Sequence, residues 1–249
     1  MEKFIDFTGK RFLVTGATSG IGLAICRKIS DFGGSVIGIG RNIEKLNFLS
    51  NQLENFIGLE YDLSDLENLD YLIKKFDLPF DGIVHSAGIV QLLPIKFFDI
   101  KILNKLRKVN YDSILMIISK LLKSKKIKKE ASIIFLSSIA GEVGMKGNSI
   151  YSSTKAALNS TTKVLAAELA SQRIRVNSIA PGQVETNLTE EIANKVSVES
   201  IEIDKSKYPL GYGKPDDIAN LAIFLLSSKS SWITGTIINI DGGRSSILN

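Results

Sequence analysis

The chain has 249 residues, 44% of them hydrophobic, with 31 basic against 26 acidic side chains and a net charge of +5. That is enough apolar material for a full core, and no long polar tract or Pro/Gly/Ser-rich linker interrupts it, so a single domain over residues 1–249 is expected. One cysteine, Cys26, excludes an intrachain disulfide or a cysteine zinc site, and one histidine, His85, leaves most metal and Ser/His/Asp chemistries without their parts. No metal site is expected. Met1 to Lys10 mixes charge with Phe and Ile, and later apolar runs such as Ile114 to Ile118 are far too short to span a bilayer, which points to a cytoplasmic protein with no membrane partner.

Short β-branched apolar runs recur along the chain at Arg11 to Thr15, Ser35 to Ile39, Phe56 to Tyr61, Gly82 to His85, Ser132 to Ser137, Arg175 to Ala180 and Thr236 to Ile240. Between them, Ile21 to Phe32, Ile43 to Leu53, Leu66 to Phe76, Ile100 to Leu122, Tyr151 to Ser171 and Asp216 to Ser227 carry apolar residues at helical spacing. This alternation predicts an α/β fold: a Rossmann-type, doubly wound parallel sheet of about seven strands with helices on both faces. Strands buried on both faces explain runs that are apolar throughout rather than alternating. The longest irregular stretch, 183–215, contains the Pro209-Leu210-Gly211 turn and is expected to form a substrate lid with some helix. Six lysines between Lys120 and Lys129 lie near a helix end, where they are expected to be a solvated face complementing the helix dipole rather than a nucleic-acid site.

The first strand runs directly into Gly16-Ala17-Thr18-Ser19-Gly20-Ile21-Gly22 and then into an amphipathic helix. Gly16 permits a tight turn, Gly20 lets the backbone approach a pyrophosphate, and Gly22 allows close helix–strand packing, while free N–H groups at the helix start attract phosphates. Gly16, Thr18, Ser19, Gly20, Ile21 and Gly22 are therefore the candidate phosphate-binding residues. The spacing Gly-x-x-x-Gly-x-Gly after Thr15 resembles the signature of the classical short-chain dehydrogenases/reductases. The second strand leads to Gly40-Arg41, where dinucleotide folds meet the adenosine ribose. An acidic residue there would favour NAD; the Arg41 guanidinium can fork onto a 2′-phosphate, which favours NADP(H) and keeps NAD(H) as the alternative. The resemblance implies that Asp62 and Leu63 lie beside the adenine, although Asp62 can equally cap a helix near Asp65. It also implies that Ser86, Ala87 and Gly88 close on the cofactor. His85 stands where the family usually has asparagine, and it is read as a hydrogen-bonded strand-end residue, not a catalytic base.

Tyr151 and Lys155 are four residues apart on one helix and so share a face. A free phenol has a pKa of about 10, and reversible proton transfer at neutral pH asks for a drop of about 3 units, or about 4 kcal/mol. A lysine ammonium and an oxidised nicotinamide are expected to supply it. Ser138 and Ser137 both end the fifth strand, and the family spacing of thirteen residues before Tyr151 selects Ser138 as the group that binds the substrate oxygen. Asn110 falls in a predicted helix, where asparagine has low propensity; on the residues alone it is an exposed helix position. The resemblance makes it part of an Asn110, Ser138, Tyr151, Lys155 tetrad, in which it holds a water that connects the lysine to solvent.

After the sixth strand, Pro181-Gly182-Gln183-Val184-Glu185-Thr186 resembles the family segment that lies over the nicotinamide, which implies cofactor contacts from Pro181, Gly182, Val184 and Thr186, as well as Tyr151 and Lys155. Ile233-Thr234-Gly235 and Asp241-Gly242-Gly243 extend the likeness to nearly the whole chain. Within the family, Arg41, Tyr208-Pro209-Leu210-Gly211 and the closing Asp-Gly-Gly look most like 3-oxoacyl-acyl-carrier-protein reductases. This implies NADP(H)-dependent reduction of a small-molecule or carrier-bound carbonyl, with Ser138 and Tyr151 holding the substrate and the lysine run available to an acidic carrier. The alternatives are a keto-sugar or small-ketone reductase and a non-enzymatic NAD(P)-sensing binding protein. Ala156, Ala157, Ser160, Thr161, Ala166 and Ala167 make one helix suited to close approach, and the resemblance implies a homotetramer or dimer built on it.

Overall fold

Every run read as a strand joins one parallel sheet in the order β3-β2-β1-β4-β5-β6-β7. The computed structural model describes residues 4–186 and 198–246. The strands are β1 (Arg11–Thr15), β2 (Ser35–Gly40), β3 (Phe56–Glu60), β4 (Phe80–His85), β5 (Ile127–Leu136), β6 (Arg175–Pro181) and β7 (Ile237–Ile240). The described helices are α1 (Gly20–Asp31), α2 (Ile43–Gln52), α3 (Leu69–Lys74), α4 (Ile100–Arg107), α5 (Ser113–Lys123), α6 (Ser149–Leu169), α7 (Val198–Lys205) and α8 (Pro215–Leu226). Successive strand residues point to opposite faces, so Phe12 and Val14 of β1 pack with α1, α2 and α8, while Leu13 packs with α3, α5 and α6. The order reverses between β1 and β4. At that switch point the helix that follows β1 packs on one face of the sheet and the helices that follow β4 on the other, and a crevice opens outside the strand ends.

Three elements depart from the sequence pattern. β5 begins at Ile127, five residues before Ser132, because a register shift between Phe80 and Gly82 takes up a charged insertion that includes Glu130 at φ +65°. The lysine run thus spans the end of α5 and the start of β5, and it is not uniformly solvated. Lys120 pairs with Asp70 at 2.6 Å, Lys128 with Asp81 at 2.7 Å, and Lys126 donates to the Phe76 carbonyl, whereas Lys123, Lys125 and Lys129 are exposed. The helix expected over Ile100 to Leu122 is interrupted by a π turn at Lys108–Asp112, and α3 is only a short helix starting at Leu69. Of the expected lid, α7 and the Tyr208–Gly211 turn are observed, and residues 187–197 lie outside the described residues.

The crossing of α1 over β1 tolerates no side chain at Gly22, where a Cβ would lie 2.2 Å from the Gly16 carbonyl oxygen. The obstacle is backbone, so relief requires moving the helix or the turn. Gly22→Ala is expected to lower stability by about 1–3 kcal/mol through this overpacking, seen as a lower urea midpoint at an unchanged m-value; a wild-type midpoint would refute the contact.

Candidate active site

A cleft of about 590 Å³ opens over the switch point. Gly16 makes the turn out of β1 at φ +69°, and a Cβ there would lie 2.8 Å from the Ala87 backbone nitrogen, so the loops after β1 and β4 meet backbone to backbone. Gly20, at φ +52°, faces Thr186 across the mouth, where a Cβ would come within 3.2 Å of its methyl. Ser19 precedes α1 without making a side-chain cap, and the first turn of the helix carries no acidic residue. N–H groups at such a helix start attract an anion, and a glycine cradle that excludes side chains lets a pyrophosphate approach. The residues present therefore fit a dinucleotide.

Of the residues singled out from sequence, Gly16, Thr18, Ser19, Gly20, Ile21, Arg41, Asp62, Leu63, Ser86, Ala87, Gly88 and Thr186 all line this cleft. Gly22 lies beneath it. Asp62 accepts from Ser64 N at 2.8 Å and caps no helix; Asp65 instead accepts from Glu67 N and Asn68 N ahead of α3. The helix-cap reading of Asp62 is therefore wrong. Lys45, Tyr61 and Lys105 also line the cleft and were not singled out. Lys45 was findable: it follows Arg41 by four residues, and Asn42 caps α2 by accepting from its backbone N–H at 2.8 Å. Arg41 and Lys45 thus bring two cationic side chains to the end of the cleft beside β2.

At Gly88 the cleft reaches the second cluster, since a Cβ there would lie 3.6 Å from Lys155 Nζ and 3.7 Å from Asn110 Oδ1. Tyr151 and Lys155 share one face of α6, with Nζ 5.4 Å from the centre of the tyrosine ring. The Ser138 hydroxyl faces the Tyr151 phenol closely enough to lower its pKa, and it also accepts from Ala140 N at 3.1 Å and donates to Pro181 O at 3.5 Å. Ser137 faces the other way and donates to the Lys155 carbonyl at 3.1 Å, which removes it as a rival. Asn110 is fully buried in the π turn, not exposed, because its side chain is consumed: Oδ1 accepts from Ile89 N at 2.8 Å, and Nδ2 donates to Ile89 O at 2.9 Å and to Thr154 Oγ1 at 3.2 Å. Pro181, Gly182 and Val184 lie outside the main cleft. Gly182 packs against Asp241 and Tyr208, and Val184 bridges to Gly213.

Burial governs the electrostatics of this cluster. In the protein alone, burial pushes the Tyr151 phenol above its ordinary pKa, and the Ser138 hydroxyl pulls it only part of the way back. Lys155 does not lower it by itself. The amine donates to the Leu136 carbonyl at 2.6 Å and is itself desolvated, which brings its pKa down to about 8. Tyr151 is accordingly a protonated donor at neutral pH.

Lys155 also makes the site costly to fold. Below pH 8 it is charged in both the folded and unfolded chain, and the folded state carries the whole desolvation penalty; between about 8 and 10.5 only the unfolded chain holds the proton, so this group's contribution to stability rises with pH. Lys155→Met is expected to be more stable than the parent at pH 7 by up to about 3 kcal/mol, with the gap narrowing as pH approaches 10. Urea unfolding of both proteins across that range checks the sign, and a gap that widens with pH would refute it.

The comparisons with known proteins agree with this geometry. A family model described as Enoyl-(Acyl carrier protein) reductase matches residues 16–245. A 3-oxoacyl-[acyl-carrier-protein] reductase of Rickettsia typhi is 36% identical over 242 residues, 96% of this chain and 98% of that protein. A tropinone reductase homologue of Arabidopsis thaliana is 35% identical, covering 97% of this chain and 94% of that one. Among solved structures, a short chain dehydrogenase family protein from Francisella tularensis superposes with a TM-score of 0.85 at 33% identity, covering 96% of this chain and 99% of that one. An Agrobacterium tumefaciens chain with bound NADP, provisionally assigned as a 2-deoxy-D-gluconate 3-dehydrogenase, superposes with a TM-score of 0.87 at 27% identity, covering 99% of this chain and all of that one. Likeness over almost the full length, on a sheet that opens a nucleotide cleft beside a Tyr–Lys pair, makes this chain an oxidoreductase of the short-chain dehydrogenase/reductase family.

Proposed function

We propose that the protein uses NADPH to reduce the carbonyl of a 3-oxoacyl thioester, delivered on an acyl carrier protein, to a hydroxyl. The observation that carries this reading is the Ser138–Tyr151 hydroxyl pair beside Lys155, at the end of a cleft whose far end presents Arg41 and Lys45. The carrier-bound substrate is supported by relatives named as 3-oxoacyl-[acyl-carrier-protein] reductases at 36% identity. The phosphorylated cofactor is supported by the two cations and by the NADP held in the Agrobacterium structure.

In this reading a substrate carbonyl oxygen accepts hydrogen bonds from Ser138 and Tyr151, and Tyr151 gives it the proton. A bound NADPH supplies the hydride. Lys155 would hold the nicotinamide ribose of the bound cofactor; it returns a proton to Tyr151, and Asn110 keeps the lysine connected to solvent. Gly16, Thr18, Ser19, Gly20, Ile21 and Gly22 would hold the phosphates of that cofactor, Arg41, Asp62 and Leu63 its adenosine, and Ser86, Ala87, Gly88, Pro181, Gly182, Val184 and Thr186 its nicotinamide. The chain works as one domain over 1–249, with 183–215 as its lid. Met116 on α5 and Val164 on α6, 42% and 51% exposed, offer apolar contacts for a homotetramer. Among the described residues no helix is long and apolar enough to cross a membrane.

The family model's description names an enoyl reductase, whereas a hydroxyl pair able to protonate an oxygen favours carbonyl reduction. The keto-sugar or small-ketone reading is favoured by the tropinone reductase homologue and the gluconate dehydrogenase likeness. Initial rates with NADPH on acetoacetyl, crotonyl, keto-sugar and simple ketone substrates separate these readings. The highest kcat/KM is expected for the acetoacetyl thioester, and turnover confined to crotonyl thioester would reverse the proposal. Tyr151→Phe is expected to lose about 10²–10⁴-fold in kcat while NADPH affinity stays within a few-fold. Arg41→Ala with Lys45→Ala is expected to raise KM for NADPH by about 10–100-fold, corresponding to one or two lost charge-assisted bonds, and to leave NADH unchanged. Equal losses with both cofactors would remove the 2′-phosphate assignment.

A further inference from the structure

The histidine at the end of β4 is not among the residues that line the cleft, yet it is fully buried and hydrogen-bonded at both ring nitrogens. Nδ1 lies 2.9 Å from Thr15 Oγ1, at the end of β1, and Nε2 lies 3.2 Å from the Asn110 main-chain oxygen in the π turn. A carbonyl oxygen can only accept, so Nε2 must carry the ring proton, and Nδ1 is then an acceptor that takes the Thr15 hydroxyl hydrogen. The Thr15 oxygen in turn accepts from Ala87 N at 3.2 Å. One continuous run of donors follows: Ala87 N–H to Thr15, Thr15 O–H to His85, His85 N–H to Asn110. Chains with a single sense polarise one another, and each member holds the next in place.

Beyond Asn110 the connection continues into the reaction site. The same residue clamps the Ile89 backbone and donates to Thr154, whose hydroxyl donates to the Tyr151 carbonyl at 2.7 Å on α6. We propose that His85, held in the Nε2–H form, is a positioning residue that orients the Asn110 carbonyl and, through Asn110 and Thr154, the face of α6 bearing Tyr151 and Lys155. It acts through other residues and touches no reacting atom. Burial, reinforced by the Lys155 ammonium on α6, brings the imidazole pKa down to about 3, so the ring stays neutral and this arrangement does not switch with pH in the working range. The kinetic part of the proposal rests on the carbonyl-reductase reading; the tautomer does not.

His85 is the only histidine of the chain, so isotopic nitrogen labelling of histidine gives one imidazole that needs no assignment. Its NMR spectrum is expected to report a protonated Nε2 and an unprotonated Nδ1 throughout about pH 5 to 9. The Nδ1–H form, or a titration within that range, would overturn the proposal. The kinetic arm compares two substitutions. The amide of His85→Gln extends as far as Nε2 and can still donate to Asn110; that of His85→Asn stops at the position of Nδ1 and meets only Thr15. His85→Asn is expected to lower kcat by about 10-fold, the loss of one buried hydrogen bond, at an unchanged KM for NADPH, and His85→Gln to recover most of it. Equal losses in both variants, wild-type kcat in His85→Asn, or a rise in KM for NADPH that matches the fall in kcat would each refute the positioning role. If the wild-type enzyme reduced no carbonyl, the reaction reading would fail while the tautomer measurement would still decide His85. If neither variant folds, the wild-type spectrum decides alone.

Discussion

The close meeting of the β1 and β4 loops at the sheet's switch point is the constraint on which the rest of this structure depends. Gly16 turns against the Ala87 backbone, Gly22 lies under the Gly16 carbonyl, and no side chain fits at either position. That absence of side chains is what creates the cleft: the start of α1 comes close enough to present its N–H groups, and the Ser86–Gly88 segment is held within reach of the second cluster. The neighbouring strand ends then need polar ties, because a buried loop must satisfy its own backbone. Thr15 and His85 provide them, so the nucleotide side and the proton-transfer side of the site share one hydrogen-bonded frame.

The second cluster shows how burial and charge oppose each other. Enclosing Tyr151 raises its pKa, and enclosing Lys155 lowers that of the amine, so both are driven toward neutral forms. A phenol that keeps its proton is suited to giving it to a developing alkoxide, and an amine near pH 8 is suited to resupplying it. The stability lost in burying Lys155 is the counterpart of that readiness, as expected where function opposes optimal folding.

Outside the site, the surface charge divides according to structure. Half of the lysine run is tied to Asp70, Asp81 and the Phe76 carbonyl, where it fastens α5 and β5 to α3 and β4. The remaining lysines face solvent, so the run is weaker support for carrier docking than its composition suggests. The Arg41–Lys45 pair is the more telling cationic feature, because both residues border the cleft.

The alternation of strand and helix, the glycine turn and the Tyr151–Lys155 spacing were legible in the sequence, because each is written in local periodicity or in a contact between residues a few positions apart. The cleft residues after β1 and β2 followed from where dinucleotide folds bind, those after β3 and β4 from the family resemblance, and the strand order came only with the structure. The rest depended on contacts between distant segments. Ser137 and Ser138 differ only in which way each points from the end of β5, and the packing of α6 decides it. Asn110 reads as an exposed helix position until Ile89 and Thr154 close around it and the helix opens into a π turn. The pKa shifts of Tyr151 and Lys155 in the protein alone were not legible because desolvation is a property of the surroundings, not of spacing. The glycine turn was thus set by the chain's own residues, whereas the tie through His85 that joins it to the reacting groups exists only once β1, β4 and the π turn are brought together.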